Sequence, residues 1–187
     1  AKVKANQPEL RTEKLERYQK EFDLPKYDAE IITGHKKFAD LFEAATELCG
    51  KPKKVSNWIM VETMRLLKEN NMDPEDIRFS PVNLAKLIDL ADSGSITNTV
   101  AKEVFERIFK DDIDPEKYVE EKGLKTVNDE GALRETVQKI LAENPQSVED
   151  YHNGKEKAIG FLVGQTMKAM KGKANPALVN QILKELL

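Results

Sequence analysis

The chain has little of what many catalytic and secreted proteins depend on. Its one cysteine, Cys49, excludes an internal disulfide framework and points to a reducing, cytoplasmic compartment. Its two histidines, His35 and His152, stand far apart and belong to no HExxH or HxxxH pattern, so a zinc site has no ligand set. The nine glycines build no Walker loop, no GxGxxG and no GxSxG, which removes the common phosphate-cradling loops and the elbow of a hydrolase. No apolar run reaches the length that spans a bilayer, and no signal peptide is present, so no membrane partner is expected. The chain opens on Ala1 without Met, as expected of a piece excised from a longer polypeptide or of Met removal before alanine.

What is present is charge and helical periodicity. Charged residues make up 34% and apolar ones 40%, enough for packed cores, and β-branched runs are few. The expected fold class is all-α, multi-helical, with about 9–11 helices. Residues 1–123 form a helical domain and 124–187 a small helical tail, divided within the polar, glycine-bearing stretch 122–131. No fixed-period repeat suggests a solenoid.

In order, the pattern predicts a charged helix between Pro8 and Asp23 with a thin apolar line, Leu15, Tyr18 and Phe22, which requires a partner. Short helices follow over Tyr27–Thr33 and Lys37–Leu48. Lys53–Asn70 is apolar around most of its circumference and is expected to be central and buried, with Trp58 as core. Asp73-Pro74, Ser80-Pro81 and Asp114-Pro115 each read as a capping residue before a first-turn proline. Ser95 or Thr97 caps the helix carrying Val100, Val104 and Ile108, and Ser147 with Asp150 resembles a capping box.

The last third forms a helical hairpin. Ile159, Leu162, Val163, Thr166, Met167 and Met170 recur at helical spacing, Gly172 is placed as the left-handed helix stop, and Asn175-Pro176 restarts a helix lined by Val179, Ile182, Leu183 and Leu186. Between Lys155 and Leu187 six lysines face Glu156 and Glu185, a net of +4 in a chain of net −3. This basic corner points to a polyanion, or else the lysines solvate two helix faces, since no arginine or aromatic interleaves them. Gly160 and Gly164 form a GxxxG whose first reading is close approach of another helix, the alternative being a bare surface for a ligand backbone. Cys49, at a helix C-terminus, lacks an activator. No catalytic and no metal-ligating residue is assigned.

The stretch GKEKAIGFLVGQTMKAMKGKANPALVNQIL resembles the C-terminal signature of the GatB family, the B subunit of the tRNA-dependent amidotransferase, shared with small YqeY-like proteins. The likeness continues through PELRTEKLERYQKEFDLPKYDAE, SNWIMVETMRLL, FSPVNLAKLIDLADSGSITNTVAKEVFERIF and VEEKGLKTVNDEG. Val55-Ser56, where the family favours two alanines, and Met170, where threonine is common, are small departures at packing positions. The resemblance implies a helical domain followed by a tail that holds the outer corner of tRNA(Asn) or tRNA(Gln). It also implies an assembled ligase that converts Asp-tRNA(Asn) or Glu-tRNA(Gln) to the amide form. ATP and magnesium would belong to an upstream domain, leaving no cofactor here, and the amidase (A) and C subunits would be partners. On this reading Lys155, Lys157, Lys168, Lys171, Gly172, Lys173 and Asn175 contact the tRNA, while a protein-interaction scaffold without RNA contact is the alternative.

Overall fold

The computed structural model describes residues 8–187. Among them the fold is all-α, with no strand and one isolated bridge, Val127 to Ala174. The chain forms two compact units, one of residues up to Asp89 with Val104–Tyr118, the other of Leu90–Glu103 with Val119–Leu187.

In the first unit the charged helix α1 (Arg11–Glu21) finds its partner in α2 (Lys26–Gly34) and α3 (Lys36–Cys49). The rings of Tyr18 and Phe22 meet Phe42 at 4.8 and 5.3 Å between centroids, and Tyr18 is wholly buried. The Tyr18 hydroxyl donates to Glu43 at 2.9 Å, and burial together with this bond holds its pKa above the ordinary phenol value. Gly50, left-handed at φ 67°, closes α3 by donating to the Thr46 carbonyl at 2.7 Å.

The following helix is continuous but not uniform. It runs as α4 (Pro52–Asn57), a π-helical turn over Trp58–Thr63, and α5 (Met64–Glu69). Val55, Ile59, Thr63, Leu66 and Leu67 are buried, yet Val61 is 51% and Met64 37% exposed. The expectation of a central, buried helix is met on the face of Val55, Ile59, Leu66 and Leu67, while the face of Val61 and Met64 is open. In the wide turn the Thr63 hydroxyl donates to the Trp58 carbonyl at 3.0 Å. The Trp58 ring packs on Phe105 at 5.2 Å but is only half-buried, at the edge of the core rather than within it.

Each Asp/Ser-Pro pair starts a helical turn: Pro74–Asp76 is 3-10, and α6 (Pro81–Asp92) and α8 (Pro115–Glu121) are α-helical. Asp114 accepts from the Glu116 and Lys117 amides at 3.0 and 3.4 Å and from Lys86 at 2.8 Å, the last holding its carboxyl below the usual range. α7 (Asn98–Asp111) is capped by Thr97, whose hydroxyl accepts from the Val100 amide at 3.2 Å.

The second unit packs α9 (Glu130–Glu143), α10 (Pro145–His152), α11 (Lys157–Ala169) and α12 (Pro176–Leu186) around Leu133, Val137, Ile140, Leu162, Val179, Ile182 and Leu183. These positions recur at three and four residues along their helices, and burying each such side chain contributes about 1.5–3 kcal/mol. α10 begins at Pro145 rather than with a Ser147–Asp150 box, because Asn144-Pro145 supplies the first turn and places Ser147 inside the helix. Residues 122–131 lie within this unit, tied by Thr126 to the Gly94 carbonyl at 2.9 Å and by the Val127 amide to the Lys173 carbonyl at 2.7 Å.

Candidate nucleic-acid interface

The corner between α11 and α12 is built by two backbone devices. The Gly172 amide donates to the Met167 carbonyl at 2.8 Å and the Lys171 amide to the Lys168 carbonyl at 3.1 Å, the paired bonds that close a helix through a left-handed residue. That residue is Lys171, at φ 54°, and Gly172 follows at φ 73°. The glycine expected as the left-handed stop is thus the second of two positive-φ residues. The stop itself is a lysine, which bears a strain of about 1–2 kcal/mol that glycine would not.

Gly172 is buried and committed to the fold. Its carbonyl accepts from the Thr97 hydroxyl at 2.6 Å, and a Cβ added to it would lie 2.9 Å from Thr99 Cγ2. Asn175 is likewise occupied: its side-chain oxygen accepts from the Ala177 and Leu178 amides at 3.1 and 3.3 Å, its side-chain nitrogen donates to Asn128 at 2.9 Å, and its amide donates to Val127 at 3.1 Å. Both residues shape the corner. A polar groove of about 260 Å³ lies alongside, lined by Thr97, Asn98, Thr99, Thr126 and Asn175 among others.

The lysines divide by partner. Lys155 meets Asp150 at 3.0 Å, and this pairing holds the Asp150 carboxyl below its ordinary value. Lys173, half-buried, reaches the Gly123 carbonyl at 3.4 Å. Lys157, Lys168 and Lys171 are exposed and form no ion pair among the described residues. Within α11, Phe161, Gly164 and Lys168 follow Lys157 by four, seven and eleven positions and so lie along one side of the helix, and Lys171 stands in the turn just past its end.

Between Lys157 and Lys168 stand Gly160, Phe161 and Gly164. All three are exposed, Phe161 to 49%, and a Cβ on either glycine would meet nothing within 4 Å. Among the described residues no helix approaches there, so the first reading of the GxxxG is corrected: the glycines leave the helix backbone bare. Each costs about 0.5–1 kcal/mol against alanine in a helix, with no packing in return. Thr97, Thr99 and Phe161 are the site residues that sequence reasoning missed. Phe161 carried a legible signal, an apolar residue off the buried stripe; Thr97 was legible only as a helix cap and Thr99 not at all, because both lie more than seventy positions from the turn they hold.

Among the described residues no group of His, Cys, Asp and Glu could hold a metal ion, and no helix is long and apolar enough to cross a membrane. His35 packs against Phe38, and His152 Nε2 lies 2.7 Å from the Leu187 carbonyl oxygen.

The chain is 70% identical over 187 residues to the B subunit of the aspartyl/glutamyl-tRNA(Asn/Gln) amidotransferase from Agathobacter rectalis, covering 100% of this chain and 39% of that protein. It is 61% identical over 185 residues to the protein of the same name from Lachnoclostridium phytofermentans, covering 99% and 39%. A third, from Clostridium tetani, is 48% identical over 183 residues, covering 98% and 38%. The chain thus spans about two fifths of the length of these relatives. The family model described as the GatB domain matches residues 40–187, most of the sequence. By that match and those identities, the chain belongs to the GatB domain family.

Proposed function

We propose that the second unit is the tRNA-docking part of an amidotransferase B subunit, and that the exposed face of α11 with the Lys171 corner is where the RNA backbone rests. The observation that carries this reading is the set of three exposed lysines without an ion pair among the described residues, Lys157 and Lys168 on one bare helix face and Lys171 in the turn that ends it. Phosphate contacts of this kind position a nucleic acid without reading its sequence, and tRNA shape supplies the discrimination. Phe161 offers a ring for an unstacked base or a ribose, and the glycines let a sugar-phosphate backbone approach closely. Lys155 and Lys173, engaged at Asp150 and Gly123, contribute field rather than direct contact.

In the longer protein this docking would serve conversion of Asp-tRNA(Asn) or Glu-tRNA(Gln) to the amidated form, with the amidase and C subunits as partners. ATP and magnesium would be held outside this chain. We assign no catalytic group here. The unit acts on substrate placement.

The test is the triple substitution of Lys157, Lys168 and Lys171 by alanine, with tRNA binding measured across a salt series. Each lost phosphate contact should flatten the dependence of log K on log salt by roughly 0.7–0.9. In the assembled enzyme the apparent KM for aminoacyl-tRNA should rise while glutamine hydrolysis without tRNA is unchanged. A folded variant with the native salt slope and KM would transfer the assignment to the scaffold reading.

A further inference from the structure

The open face in the first unit is the feature that the tRNA reading leaves unexplained. The π-helical turn carries Met60 and Val61 to a groove of about 370 Å³, whose other walls are Leu24 and Pro25 from the connection into α2. Val61 is 51% exposed, and Met64, one turn further along the same helix, 37%. An amphipathic helix would place polar residues here, yet the sequence from Trp58 to Val61 is apolar without a break. Apolar side chains left open beside polar groups give a surface on which a peptide can seat.

The charges of the groove select its occupant. Asp23 is held by Lys53 at 2.5 Å. Asp28, half-buried on the opposite wall, meets no cation among the described residues, and its one hydrogen bond is from the Ser56 hydroxyl at 3.4 Å. Asn57, exposed beside it, adds an amide. An apolar floor with one unneutralised carboxylate repels a phosphate backbone and complements a peptide that carries apolar side chains and a single cation.

We propose that this groove seats an amphipathic segment of a partner subunit, with its apolar side chains on Met60 and Val61, reaching the exposed Met64 beyond the groove, and a lysine or arginine on Asp28. This rests on the reading of the chain as part of an amidotransferase. The π-helical turn that carries Met60 and Val61 is then a feature of the interface.

The experiment uses the full-length B subunit expressed with its amidase and C subunits. Radical footprinting of Met60 and Met64 in the free and assembled protein reads the face directly, and assembly affinity is measured for Val61→Lys, Val61→Ile and Asp28→Lys. Assembly should protect both methionines. Val61→Lys and Asp28→Lys should each weaken assembly by roughly tenfold or more, the effect of a central interface residue, while Val61→Ile should not. Helicity and the thermal midpoint of each variant guard against unfolding. Unprotected methionines, or native affinity in both charge variants, would overturn the proposal. So would self-association of the full-length protein that Val61→Lys abolishes while the complex persists, because the face would then belong to a second copy. A wild-type protein that does not assemble with the amidase and C subunits would remove the functional reading itself, a result distinct from assembly that ignores Val61→Lys.

Discussion

The Thr97 hydroxyl donates to the Gly172 carbonyl at 2.6 Å, across 75 positions of sequence, while accepting the Val100 amide at 3.2 Å. One buried oxygen thus caps α7 and anchors the basic corner. Thr97→Val should remove both bonds and leave the Gly172 carbonyl unsatisfied, costing about 1–3 kcal/mol. Thr97→Ser should retain most of the stability. Amide exchange at Val100 and Gly172, together with denaturant unfolding followed by a probe in the second unit, checks both.

Lys171 holds a left-handed backbone that glycine adopts without strain. Lys171→Gly should stabilise the second unit by about 1 kcal/mol, while weakening tRNA binding through loss of its charge. Calorimetry and a binding titration on the same variant give opposite signs if the lysine is retained for contact. A stabilised variant with undiminished binding would leave the strain without a function.

Gly160 and Gly164 make the same argument from the helix face. Alanine at either position meets no neighbour within 4 Å and should raise stability by about 0.5–1 kcal/mol. If RNA rests on the bare backbone, tRNA affinity should fall with each methyl added. Unchanged affinity in both variants would restrict the contact to the lysines.

Acid should loosen the second unit through Glu185. Arg134 donates to Glu185 at 2.6 Å and to Glu130 at 3.1 Å, and Gln181 donates to Glu185 at 3.2 Å. The Arg134 bond, then that of Gln181, holds the Glu185 carboxyl below its ordinary 4.5. A carboxyl lowered in the folded state contributes stability that is present above its unfolded value and lost as pH falls through the folded one. Thermal melts below pH 4.5 should therefore fall more steeply for the native chain than for Arg134→Ala, in which the pair is already absent. Parallel acid limbs would show that this exposed pair contributes nothing to the fold.

Local chemistry determined most of the elements. Proline after Asp or Ser opened helices where a first turn tolerates a missing amide, Gly50 closed one where the chain turns left-handed, and the three- and four-residue spacing of Leu133, Val137, Ile140, Val179, Ile182 and Leu183 foretold the core of the second unit. The basic character of the α11 corner was also legible, because charge is a count along the chain. Which lysines remain unpaired was not, since Asp150 and the Gly123 carbonyl reach Lys155 and Lys173 only through folding. The tertiary structure alone buried Gly172 under Thr97 and Thr99, made Lys171 the left-handed residue and opened the face of Val61. Periodicity states that a side chain is apolar and on which side of a helix it lies. Whether anything stands opposite depends on residues distant in sequence, and for Gly160, Gly164 and Val61 no described residue covers that side.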